Sequence, residues 1–172
     1  MVPPARMLHS RAWSWSVSAS DLVVVHPWFC AVSLSRYYTG AAEIVTLPPL
    51  TDARLQRLDL FKQQIANDRA LDPVFTKLGA VLRGGGTVWL VGHFPFTNPP
   101  QPPPMLPPAG KGPEGWRGAP YMMAYGMQVA YFIQMHATES ASVEITVGEP
   151  VHPFEDLPVR SVAGWRASSS LW

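Results

Sequence analysis

The chain has 172 residues, 47% of them hydrophobic and 15% charged, with a formal net charge of +1. That composition suits one packed domain and excludes an intrinsically disordered chain. The balanced charge, with no long basic run, excludes capture of nucleic acid by bulk electrostatics, so no nucleic-acid partner is expected.

Residues 1–20 carry Arg6, Arg11, Trp13 and Trp15 but no continuous apolar core. They do not read as a signal peptide. A flexible or membrane-proximal leader is expected, because tryptophan favours the membrane boundary. A single domain is expected over 21–166, followed by a polar tail at 167–172. Asp21-Leu-Val-Val-Val25 is a continuous apolar run that suits a strand covered on both faces. The best candidate for a membrane span, Leu22 to Val32, is broken by His26 and Pro27 and falls short of the ~18 residues required.

From Trp28 to Tyr38, Trp28, Phe29, Val32, Arg36 and Tyr37 recur as they would on a helix, and Gly40 stops it. Cys30, the single cysteine, leaves no internal disulfide and no cysteine-based zinc site. Its apolar setting reads as a buried, inert thiol. Glu43 to Leu47 is a second short strand, ended by Pro48-Pro49. Thr51 and Asp52 are placed to cap a helix with Leu55, Leu58, Phe61 and Ile65 on one face. Asp72-Pro73 starts another, striped by Val74, Phe75, Leu78, Val81 and Leu82. Gly84-Gly85-Gly86 ends it. This glycine run precedes a strand, whereas a phosphate-cradling loop follows one.

Thr87 to Val91 is the clearest strand, and Gly92-His93 follows it. The proline-rich stretch Pro95 to Pro113 cannot be a helix or a central strand and is expected to be an extended surface loop. Phe94, Phe96, Met105, Leu106 and Trp116 favour a lid folded back on the domain. The spacing of Pro104 and Pro107 also fits a ligand for a proline-binding module. A long helix is expected over Tyr121 to Thr138, then strands at Val143 to Val147 and Val159 to Gly164. The order of elements predicts an α/β fold: a Rossmann-like three-layer sandwich, with a mainly parallel sheet of about five strands and helices on both faces.

Ligands of such sheets bind beyond the carboxyl ends of the strands. The first strand ends on His26, Pro27 and Trp28, and the third on Gly92 and His93. If the two are neighbours, these residues share a rim, with Arg36 and Tyr37 approaching from the first helix and Trp116 from the loop. The set suits an anionic or sugar-like group, and it also suits plain packing of strand ends. Two histidines need a third metal ligand, and His136, Glu139, His152 and Glu155 have no diagnostic spacing, so neither a metal nor a cofactor is expected. Ser33 or Ser35 with His93 and Asp21 lacks the Gly-x-Ser-x-Gly elbow of a hydrolase, and no catalytic residue is assigned.

Several phrases in fixed order carry a resemblance. They are Asp21-Leu-Val-Val-Val-His-Pro-Trp28, Arg36-Tyr-Tyr-Thr-Gly40, Thr46-Leu-Pro-Pro49, Arg57-Leu-Asp-Leu60, Val88-Trp-Leu-Val-Gly92, the proline loop, Gln128 with His136, and Gly164-Trp-Arg166. Over Asp21 to Arg166 the chain resembles the soluble C-terminal domain of bacterial polytopic membrane glycosyltransferases. These are similar to the protein-mannosyltransferase and aminoarabinose-transferase group, which uses polyprenyl-phosphate sugar donors. The resemblance implies an α/β domain on the extracytoplasmic face of the membrane, partnered by a transmembrane portion or the membrane surface. The family's catalytic acids lie between membrane helices, so none carries over to this sequence. Three readings follow. The first is a non-catalytic accessory domain that assists acceptor, sugar or phosphate binding. The second is a freestanding hydrolase or transferase using His26 and His93. The third is a partner-binding module that presents the proline loop.

Overall fold

The computed structural model describes residues 17–110, 117–144 and 156–166. Strand β1 is Leu22–His26, and Leu22 to Val25 are 0–2% exposed. With no polar residue alternating in the run, both faces have to be covered. Strands β2 (Glu43–Thr46) and β3 (Val88–Gly92) run parallel to β1 on either side of it. The register sets His26 opposite Gly92, as the shared rim requires. Asp21 ties the lower ends of β1 and β3 together, accepting hydrogen bonds from the N–H of Thr87 and from Trp89 Nε1.

Strands β4 (Glu139–Val143) and β5 (Val159–Ala163) complete the sheet in the order β2-β1-β3-β5-β4. β5 is antiparallel to β3, and β4 is antiparallel to β5. The sheet is therefore mixed, which corrects the expected mainly parallel one. β4 follows α4 and runs in the direction of β3, whereas β5 is reversed between them, and a five-residue strand carries no pattern that reveals its direction. The strand expected at 143–147 lies earlier, at Glu139–Val143; residues 145–147 are outside the described residues. β4 is largely exposed, so its Glu-Ser-Ala-Ser-Val sequence lacks the apolar alternation that reveals a half-buried strand.

Helices lie on both faces. Helix α1 (Cys30–Tyr37) packs Ala31 and Leu34 against Val23, Val25 and Val91. On the other face, α2 (Leu58–Ile65), α3 (Asp72–Arg83) and α4 (Gly118–His136) surround Leu22, Val24, Val88 and Leu90. The expected start of α2 moves, because Asp52 accepts from the N–H of Arg54 in a local turn instead of capping a helix. Leu55 is consequently 58% exposed and not part of the buried face. No helix among the described residues is long and apolar enough to cross a membrane.

Candidate functional site

β1 leads into α1 on one face, whereas β3 leads through the proline segment to α4 on the other. The carboxyl ends of β1 and β3 thus lie where the chain departs in opposite directions, the usual place for a ligand crevice in an open sheet.

Counting in twos from Leu22 and Val24 sends the His26 side chain toward α4. It is 5% exposed there, with Phe94 edge-on at 5.5 Å. Gly126 of α4 makes the room, since a Cβ at that position would lie 2.3 Å from His26 Nε2. His26 Nδ1 is buried with no hydrogen-bond partner. Burial, with the nearby His93 adding to it, pushes the imidazole down to about 4, so it is neutral near pH 7. A neutral ring under this cover supplies neither a cation nor an accessible base.

Gly92 has φ +101°, and a Cβ there would stand 1.8 Å from the His26 carbonyl oxygen, so only glycine fits. The Gly92 N–H donates to Pro158 O at 2.8 Å, and the His93 N–H donates to His26 O at 3.0 Å. These backbone donors are committed and cannot cradle a phosphate. The His93 side chain is exposed beside them. Trp28 is 3% exposed and stacks on Phe61 at 5.5 Å, which makes it a core residue. Arg36 and Tyr37 stand exposed in the last turn of α1. The adjacent Tyr38 bonds through its hydroxyl to the backbone of Ala42, next to Glu43, which pairs with Leu22, so this end of α1 lies at the far end of β1 from His26. The structure therefore gathers His26, Gly92, His93 and Phe94, and it does not bring Arg36 or Tyr37 to them. Trp116 lies outside the described residues.

Compared with protein-family models, curated proteins and solved structures, the chain matches none of them.

Residues 93–110 form no helix or strand and lie along α4 as a strap. Gln134 Nε2 donates to Thr97 O at 2.6 Å, Gln128 Nε2 to Pro104 O at 3.3 Å, and Tyr121 Oη to Pro107 O at 2.7 Å. The strap therefore runs antiparallel to the helix. Phe94 and Phe96 turn inward onto the core, as a folded-back lid needs. Met105 and Leu106 do not; they are 77% and 37% exposed. They form the lip of a recess of about 70 Å³ whose walls include Asp68, Asp72, Tyr125 and Gln128. Ligand pockets for small organic molecules run to roughly 300 Å³ and more. The recess admits little beyond water. The anchoring side chains had a signal in the sequence: Gly118 to Met135 holds no charged residue, and polar groups on such a helix must find partners.

At the other end of α4, Trp165 stacks on His136 at 4.8 Å and 3°, with Arg83 over its ring at 4.7 Å. Trp165 is thus engaged by protein groups. Among the described residues, no three His, Cys, Asp or Glu side chains are placed to hold a metal ion.

Proposed function

We propose that this chain is a non-catalytic accessory domain of a lipid-linked-sugar glycosyltransferase, acting at the extracytoplasmic face of a bacterial membrane. In this reading it helps to bind the sugar or phosphate part of a substrate beside a transmembrane catalytic portion. The parallel β2-β1-β3 half serves as a Rossmann-like core, to which β5 and β4 are added. Support comes from the ordered phrases between Asp21 and Arg166 and from the crevice where β1 and β3 end. The observation that carries it is the contrast between the two imidazoles: His93 is exposed at the crevice and His26 is sealed beneath it. One accessible histidine suits binding. An enzyme working from both would have to expose His26 past Phe94 and Gly126.

The test mixes the chain with a polyprenyl-phosphate sugar and a peptide or lipid acceptor. Saturable binding of the donor, weakened by His93→Ala, and no sugar transfer are expected. Transfer by the isolated chain, or binding indifferent to His93→Ala, would sink the reading.

Exposed Met105 and Leu106 favour a second reading, in which the strap presents an apolar lip to a protein partner. Pull-down against the proposed transmembrane portion tests it, with loss of capture expected for Met105→Ser/Leu106→Ser. Unchanged capture by that variant overturns it.

A further inference from the structure

A separate group of polar side chains lies on the outer strands. Arg160 of β5 stands opposite Leu90 on one side and Ser142 on the other. Alternation puts its side chain on the α4 face with Val162. The guanidinium carbon lies 5.0 Å from the centre of the Phe96 ring. Nη1 donates to Ser140 Oγ at 3.1 Å, and Nη2 donates to Ser142 Oγ at 3.3 Å. Both serines are exposed. Ion pairs among the described residues engage Arg54, Arg57, Arg69 and Lys77, and no described carboxylate pairs with Arg160.

The chemistry of the cluster is one-sided. Arginine has five N–H donors and no acceptor. Two of them are used here, which leaves Nε–H and one N–H on each terminal nitrogen without a partner among the described residues. Each serine accepts from Arg160 with a lone pair and keeps its own proton to donate outward. Phe96 holds the guanidinium plane, so little freedom remains to be lost when a ligand arrives. Phe96 is itself secured next to Thr97, whose carbonyl accepts from Gln134.

We propose that Arg160, Ser140 and Ser142 form a binding site for a phosphate-type oxyanion, either free or as a phosphomonoester. Several tetrahedral oxygens match a guanidinium fork flanked by two hydroxyl donors better than the two oxygens of a carboxylate do. The site shares no residue with the β1–β3 crevice, and it does not depend on the transferase reading.

The experiment titrates the full chain with inorganic phosphate, with methyl phosphate and with acetate, following backbone amide shifts by NMR. Saturable shifts confined to Glu139–Val143 and Val159–Ala163 are expected with both phosphates, and weaker ones with acetate. Arg160→Gln should weaken binding by about tenfold or more, and Ser140→Ala/Ser142→Ala by about three- to tenfold. Arg160→Lys keeps the charge and loses the fork, so it should fall between wild type and Arg160→Gln. If Arg160→Gln fails to fold, the serine pair and the lysine variant decide the matter. Methyl phosphate binding as tightly as inorganic phosphate points to an esterified ligand, and a clear preference for the free ion points to phosphate itself. No saturable shift, equal binding of acetate, or an unchanged response in all three variants overturns the site.

Discussion

His26 carries an imidazole into a place where a proton costs free energy. In the unfolded chain it binds that proton near pH 6.5, whereas in the fold it resists to about pH 4. The contribution of this residue to stability is therefore complete above pH 6.5, declines as pH falls, and reaches its floor near pH 4. The window corresponds to about 3 kcal/mol. His26→Leu should remove most of the decline, as seen by urea unfolding at a series of pH values between those limits. His136, lowered by burial despite the opposing backbone hydrogen bond at Arg166, adds a smaller slope of the same sign that the variant retains. An unaltered pH profile in His26→Leu would mean that the ring is solvated. The sequence placed His26 correctly at a strand end, and alternation alone gives the face it points to. What could not be read was Gly126, a hundred residues later, which leaves space for the ring because it has no Cβ. Spatial vacancies of this kind are pairwise facts, and a single residue does not announce them.

Among the elements, the strap differs most from its reading. Its extended, proline-dictated character was legible, and so was the inward turn of Phe94 and Phe96. Its course was not, because the anchors are neutral side chains bonded to backbone carbonyls, and such bonds require no partner residue type. Gln128→Ala, Gln134→Ala and Tyr121→Phe should each cost about 1 kcal/mol. Together they should speed cleavage within 97–107 by a broad-specificity protease, with little change in helical circular dichroism. Cleavage at the wild-type rate would show that packing of the prolines, and not these bonds, holds the segment. Helix α2 marks a different limit. Asp52 has the chemistry of a cap and uses it in a turn with Arg54, a competition that residue type cannot decide.

For the whole molecule, the sheet grades from a sealed centre to an open edge. β1 and β3 are buried on both faces, whereas Glu139 to Ser142 of β4 are exposed. Amide hydrogen exchange should therefore be slowest in β1 and β3, near the rate of global unfolding, and fastest in β4. Strong protection of β4 would mean that its outer side is covered. The central strands were readable because burial on two faces leaves an apolar run. Of the outer pair, β5 was legible at 159–164, whereas β4 was displaced, since a polar, exposed strand resembles a loop in composition, and the antiparallel pairing of the two left no mark in either sequence.

Helix α4 sits between the sheet and a ribbon of prolines, which explains how Gly118 to Met135 lacks any charged side chain. A chain nicked between Thr97 and Pro107 would therefore bare an oily wall, and its first symptom should be self-association in dilute buffer, ahead of any loss of fold.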